Sequence, residues 1–220
     1  MTGPPTLAVL ASGGVDSAVL VADQARQGAV VQPLYIRFGL AWEADEEAHL
    51  RRFLDALPGE LPVLPLIGLD LPISDVYGSH WSVSAAGVPD ESTPDEAVYL
   101  PGRNLLLLAK SSVWCALHGV GAIALGTLGG NPFADSSRAF LDGVGSLVEL
   151  GLDHPLVVLT PFREMGKDEV LALGADLPLE HTFSCIDSVG GRQCGRCNKC
   201  AERKKGFAAA GLEDRTDYVD

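Results

Sequence analysis

Two groups of residues have types and spacings that could do chemistry. The first is Ser12-Gly13-Gly14-Val15-Asp16-Ser17, set between an apolar run of strand length, Thr6 to Ala11, and a helix-prone stretch, Ala18 to Gln24. Adjacent glycines admit backbone angles closed to other residues and turn N–H groups inward, while the helix that follows offers unpaired amides and the positive end of its dipole. Such a turn suits an anion. Ser12 and Ser17 add hydroxyl donors, and Asp16 stands where a carboxylate can brace the turn or help hold a magnesium ion that accompanies phosphate. The competing reading is an ordinary strand-to-helix connection capped by Asp16 or Ser17.

The second group is Cys185, Cys194, Cys197 and Cys200, with Gly190, Gly191 and Gly195 between them. Four thiolates at Cys-x8-Cys-x2-Cys-x2-Cys spacing fit tetrahedral Zn2+, and four protein ligands close the shell, so the metal is structural. Disulfides and an iron-sulfur cluster are the rivals. Zinc would fold the tail from Thr182 to about Phe207, contributing on the order of 10–16 kcal/mol by analogy with zinc-finger peptides. Cys115, in an apolar helix, reads as packing rather than as a nucleophile.

The elements that must position these groups follow from hydrophobic patterning. Val30 to Phe38 reads as a second strand, Glu43 to Leu57 as a helix with Leu50, Phe53, Leu54 and Leu57 on one face, and Pro62 to Leu69 as a third strand. Asp70 to Val98, with Pro72, Gly78, Gly87, Pro89 and Pro94, reads as a mobile lid or a disordered span. Leu105 to Leu117 is a helix apolar on nearly every side, hence interior, with Arg103 and Asn104 at its start. Ala122 to Thr127 is a strand, Ser136 to Leu150 a helix with Phe140, Leu141, Val144, Leu147 and Val148 inward, and Pro155 to Pro161 the last core strand. Lys167 opens a short helix, placed to reach a ligand or to face solvent.

Strands separated by single helices give right-handed crossovers, so the fold class is α/β, a doubly wound, mostly parallel sheet. With 220 residues, 47% of them hydrophobic, the chain suits one substantial domain, residues 1–181, and a small zinc-binding subdomain, residues 182–220. In such sheets ligands bind beyond the carboxyl ends of the strands, where the glycine turn lies. A net charge of −13 and a pI near 4.7 argue against a nucleic-acid partner. The local basic run Arg192, Arg196, Lys199, Arg203, Lys204 and Lys205 reads as a solvated face. Met1 to Pro5 has no export signal and no apolar stretch is long enough to span a bilayer, so a cytoplasmic protein is expected.

The loop matches the Ser-Gly-Gly-x-Asp-Ser signature of the PP-loop ATP pyrophosphatases, Rossmann-like enzymes that split ATP between its α and β phosphates; no Walker Gly-Lys-Ser/Thr follows it. Together with Pro101-Gly102-Arg103-Asn104, the four cysteines, Thr182-Phe183-Ser184, Glu202-Arg203 and Gly211 to Tyr218, it resembles the 7-cyano-7-deazaguanine synthase (QueC) family over most of the chain. The resemblance implies an ATP-dependent C–N ligase that activates the carboxylate of 7-carboxy-7-deazaguanine as an acyl adenylate, captures it with ammonia and dehydrates the amide to the nitrile. Mg2+ would accompany ATP, and a homodimer would be expected. On this basis the ATP site takes Leu10, Ala11, Ser12, Gly13, Gly14, Val15, Asp16, Ser17, Phe38 and Arg103, with Ser12, Asp16, Ser17, Arg103 and Lys167 as catalytic residues.

Substrate falls to Asn104, Phe133, Asp135 and Arg138. A carboxylate at Asp135 would accept the donor N–H groups of the guanine-like edge, with Phe133 stacking on the ring; the other reading of Asp135 is the N-cap of the following helix. Two stretches depart from the family pattern. Phe38-Gly39-Leu40-Ala41-Trp42 is apolar where the family carries Tyr-Gly-Gln and basic residues, and Thr127 to Arg138 replaces a longer loop ending in Pro-Asp-Cys-Arg. Two alternatives remain open: a relative that passes the activated acid to another amine, such as a protein N-terminus, and a non-catalytic nucleotide-binding module.

Overall fold

The computed structural model describes residues 5–219; the first four residues, read above as lacking an export signal, and Asp220 lie outside the described residues. The strands are β1 (Thr6–Leu10), β2 (Val30–Arg37), β3 (Ile67–Asp70), β4 (Ala122–Ala124) and β5 (Val157–Leu159). The helices are α1 (Val15–Arg26), α2 (Glu43–Asp55), α3 (Ser74–Tyr77), α4 (Trp81–Ser84), α5 (Arg103–His118), α6 (Arg138–Leu152), α7 (Lys167–Leu173) and α8 (Asn198–Ala210).

Among the described residues the five strands form one parallel sheet ordered β3-β2-β1-β4-β5. The chain winds outward from β1 to β3, crosses back to β4 and ends at β5, so the winding reverses between β1 and β4. A crevice opens there at the carboxyl ends, and the glycine turn after β1 lies in it. From Leu7 to Leu10 β1 is apolar and buried because both its faces are covered. Leu7 and Val9 pack with α1, α2, α7 and Phe207 of α8, whereas Ala8 and Leu10 pack with α5 and α6.

Three expectations are corrected. The third strand starts at Ile67 rather than Pro62, because Pro62 and Pro65 interrupt it. Only Val63 bridges to Val31 before the Leu34–Ile67 ladder begins, and Pro33 sits in that gap while the Gln32 amide donates to the Pro65 carbonyl at 2.8 Å. Helix α5 is not interior: Leu108 and Cys115 are buried, but Leu105, Val113 and Leu117 are 51%, 47% and 78% exposed. On α6, Leu147 is 68% exposed rather than inward. Leucine is a strong helix former on any face, so an all-round apolar helix does not by itself specify burial.

The 70–98 segment is built rather than disordered. It holds α3, α4 and a 3-10 turn (Asp95–Val98), and the chain before α2 grips it. The Ala41 N–H donates to the Ser82 carbonyl at 2.9 Å, and Trp42 stacks on Trp81 with ring centroids 5.7 Å apart. The tail shares the core of the sheet. Arg203, assigned above to a solvated face, is 1% exposed, donates to Thr182 Oγ1 at 2.7 Å and to the Leu179 carbonyl at 3.0 Å, and pairs with Asp214 at 3.3 Å. Among the described residues no helix is long and apolar enough to cross a membrane.

Candidate active site

The glycine turn has the geometry its sequence requires. Gly13 takes φ 80°, and a Cβ there would stand 2.9 Å from the Glu46 carbonyl, so only glycine fits beside α2. Gly14 is the N-cap of α1, and no side chain caps that helix end. The cap reading of Asp16 and Ser17 therefore fails. Ser17 Oγ instead accepts from the Ser12 N–H at 3.1 Å and donates to the Gly14 carbonyl at 3.0 Å, which closes the turn on itself. From the loop after β4, Gly126 approaches so closely that a Cβ would lie 3.2 Å from the Asp16–Ser17 backbone. The amides at the start of α1 are thus left to a ligand, the arrangement that holds phosphate elsewhere.

Asp16 takes the Lys167 ammonium on both carboxylate oxygens, at 2.7 and 2.9 Å, and Lys167 reaches on to Glu202 at 3.3 Å. Lys167 therefore braces the loop from behind and does not line the cavity into which the turn opens.

The turn opens into a cavity of about 440 Å³. Leu10, Ala11, Ser12, Gly14, Asp16, Ser17 and Phe38 line one side, and Arg103, Asn104, Phe133 and Asp135 the other. Arg103 is aimed by the Pro101-Gly102 turn: Gly102 takes φ 72° and ψ 12°, and the Arg103 N–H returns to the Leu100 carbonyl at 3.0 Å, as in a type II turn. Its Nε is buried with no hydrogen-bond partner among the described residues, a gap that a phosphate oxygen would fill. Asp135 caps a helix, though not the following one. It accepts the Asn104 N–H at 3.1 Å at the first turn of α5, while Ser137 caps α6. Phe133 stacks on Tyr99 at 4.7 Å, forming an aromatic wall with Tyr99, a residue the sequence did not single out.

Arg138 stands apart. It pairs with Asp142 one turn along the exposed side of α6 and does not line the cavity; nor do Val15, buried under the loop, and Gly13.

Tyr35, Glu43, Glu46, Lys199 and Glu202 also line the cavity. Glu43 accepts from the Phe38 and Gly39 N–H groups and holds the end of β2 open. Glu46 accepts from Tyr35 Oη at 2.7 Å. Burial raises its carboxyl to about 7, opposed by the nearby Arg103 charge. The signal was present: Glu43 and Glu46 lie three apart at the start of a helix that follows a strand, so they share a face. The neighbouring Asp45 and Glu47 hid it.

The four tail cysteines are buried, unpaired by disulfide, and their sulfurs lie within 4.8 Å of one another. Backbone N–H groups of Cys194 and Asp187 point at Cys185 Sγ, at 3.2 and 3.3 Å. An all-thiol donor set this tight fits a metal such as zinc. Two residues before Cys185, the Phe183 N–H donates to the Gly13 carbonyl at 2.8 Å, so the cysteine tail is fastened to the glycine turn.

A family model described as queuosine biosynthesis protein QueC matches residues 6–211. The chain belongs to the QueC family. QueC-family relatives named 7-cyano-7-deazaguanine synthase include one from Azoarcus sp. (strain BH72), 30% identical over 99% of both chains. Another, from Anaeromyxobacter dehalogenans, is 31% identical over 96% of this chain and 94% of its own. Among solved structures, a 4-thiouridine synthetase in complex with RNA and ATP superposes with a TM-score of 0.54 at 16% identity, covering 94% of this chain and 50% of that one, which shows a shared fold.

The match places the chain among proteins of queuosine-precursor synthesis. The two stretches singled out in the sequence for their composition contribute walls of the cavity: Phe38 and Leu40 from one, Thr127 to Phe133 from the other. Cys115 is buried and its thiol is pushed up to about 12, so it is inert packing.

Proposed function

We propose that the chain is an ATP-dependent C–N ligase that adenylates the carboxylate of 7-carboxy-7-deazaguanine and passes the acyl group to ammonia. The observation that carries the reading is the uncapped Ser12–Ser17 turn facing the unpartnered Nε of Arg103 across one cavity. A carboxylate oxygen attacks the α phosphorus of ATP, and pyrophosphate leaves with the electrons of the broken P–O bond. Ammonia then attacks the acyl carbon and AMP departs, leaving the amide. A second ATP activates the amide oxygen, and loss of AMP and protons leaves the nitrile.

The loop amides and hydroxyls hold phosphate, Arg103 meets charge that develops on it, and the Asp16–Lys167 pair keeps the turn in place. Mg2+, brought with ATP and reachable by the Asp16 carboxylate, would supply neutralisation of phosphate charge. Zn2+ on Cys185, Cys194, Cys197 and Cys200 would order the tail. Phe133 and Tyr99 offer a stacking wall for the deazapurine, and the remaining lone pairs of Asp135 an acceptor for its N–H groups. The exposed leucines of α5 and α6 support a homodimer, and the whole suits a cytoplasmic enzyme acting on small molecules.

A second reading keeps adenylation and changes the acceptor to another amine, such as a protein N-terminus. The apolar Phe38 and Leu40 at the cavity wall favour it, because they replace polar residues where substrate and acceptor meet. One experiment separates the readings: incubation with ATP, magnesium, ammonium and 7-carboxy-7-deazaguanine, followed by mass spectrometry. Amide or nitrile with AMP supports the ligase; AMP without either points to another acceptor; no AMP refutes adenylation.

A further inference from the structure

A second cavity, about 310 Å³, shares Glu202 with the first. One wall is a face of α8 on which Asn198, Glu202 and Ala209 recur at helical spacing; the others are Lys167 at the start of α7 and Glu91 and Thr93 of the 70–98 segment. Asn198 is 5% exposed. Its Nδ2 donates to the Thr93 carbonyl at 2.9 Å, and its Oδ1 has no partner among the described residues. A buried amide oxygen left so is costly, and being an acceptor it calls for a donor.

Charge points the same way. Glu91, Asp168 and Glu202 line the cavity against Lys167 and Lys205. Glu202 holds Lys199 at 2.5 Å and Lys167 at 3.3 Å, one on each carboxylate oxygen, and each oxygen keeps a further lone pair. A small cation with several N–H donors satisfies these groups. An anion such as pyrophosphate would face three carboxylates.

The reaction proposed above has three reactants. The first cavity, toward the small end of the ~300–1,000 Å³ usual for ligand sites, would be filled by nucleotide and acid, so the amine needs its own approach. Resting on that reading of the chain, we propose that the second cavity binds the amine in its ammonium form, as ammonium or a primary alkylammonium, and admits it past Glu202; the cation gives up one proton to solvent water, and the neutral amine then attacks the activated acid.

The test uses the full-length enzyme and two variants: Glu91→Gln, which removes a charge, and Ala209→Trp, which fills the cavity from the exposed face of α8. ATP–pyrophosphate exchange with the acid and no amine reads adenylation alone; amide formation is then measured against ammonium chloride and against a short peptide with a free N-terminus. Exchange stays near the wild-type rate in both variants, and the KM for the amine rises about tenfold or more, the loss of one good polar contact. A rise for ammonium makes free ammonia the source, and a rise for the peptide alone makes it a polypeptide; both support the cavity. An unchanged amine KM in both variants, with exchange intact, overturns this inference and leaves adenylation standing. Slowed exchange with unchanged amine KM assigns the cavity to pyrophosphate and overturns it too. Wild-type enzyme that shows no exchange overturns the adenylation reading and this inference with it.

Discussion

Lys167 Nζ lies 2.7 Å from Asp16 Oδ2 and 3.3 Å from Glu202 Oε1, so one ammonium ties the first turn of α1 to the helix of the cysteine tail. The Lys167 and Asp16 side chains are 21% and 26% exposed, so the pair is largely shielded from water, but Glu202 keeps Lys167 partnered when Asp16 is removed and the loss of stability stays modest. Asp16→Ala is expected to lower AMP formation about 100-fold or more while Tm falls by only about 2–4 °C. Turnover and a melting curve on the same sample check both halves, and undiminished AMP formation removes Asp16 from the chemistry.

Gly13 and Gly39 both have φ near 80°, but a Cβ at Gly13 meets the Glu46 carbonyl at 2.9 Å whereas one at Gly39 meets nothing within 4 Å. Gly39→Ala should therefore cost about 1–2 kcal/mol, the strain of the left-handed conformation alone. Gly13→Ala adds displacement of α2, so it should cost more and weaken ATP binding as well. Urea unfolding and a nucleotide titration distinguish the two; equal losses would mean that the contact with α2 carries nothing.

The Glu46 carboxyl, raised to about 7 by burial, makes stability depend on pH. Its unfolded value is about 4.3, so between the two values the native state holds more protons and ∂ΔG/∂pH is negative. This contribution is fully present below about pH 4.3 and is lost as pH rises through 7. Relative to Glu46→Gln, the wild type should lose on the order of 1–3 kcal/mol over that window. Parallel profiles of the two proteins in urea unfolding at a series of pH values would show that burial does not act on this group as described.

Asp135 accepts from the first turn of α5, so Asp135→Ala should cost about 1 kcal/mol through the lost cap. Because the same carboxylate borders the aromatic wall, affinity for the deazaguanine acid should fall far more than affinity for ATP. Calorimetric titration with each ligand checks this, and equal losses would assign Asp135 to the helix alone.

The cysteine cluster predicts about one zinc per chain by elemental analysis of freshly purified protein. Cys197→Ser should empty the site and lower Tm by well over the ~2–4 °C expected for a 1 kcal/mol change. ATP affinity should fall in parallel, since Phe183 joins the tail to the loop. Full ATP binding in a metal-free variant would uncouple the two.

What the sequence disclosed was whatever local chemistry dictates. The strand, glycine turn and helix from Thr6 to Arg26 and the cysteine spacing were legible because backbone angle and metal geometry each demand particular residues. The exposure of Leu105, Val113 and Leu117 was not, because it depends on which stripe of α5 the sheet selects. Arg203 was misread for a related reason: its partners, Thr182, Leu179 and Asp214, come from distant turns, and a basic run in sequence says nothing of them. Glu46 and Tyr99 were missed because an acidic helix start and a single aromatic residue in a long connection are common, and only assembly brings them to one cavity.

The bond from Phe183 to Gly13 sets an order of events in the cell. Translation delivers the glycine turn before the cysteine tail, at about 5–20 residues per second, so the Gly13 carbonyl waits for a partner made well over a hundred residues later. A chain that stalls before residue 183 therefore carries the glycine turn without the backbone partner that fastens it to the cysteine tail.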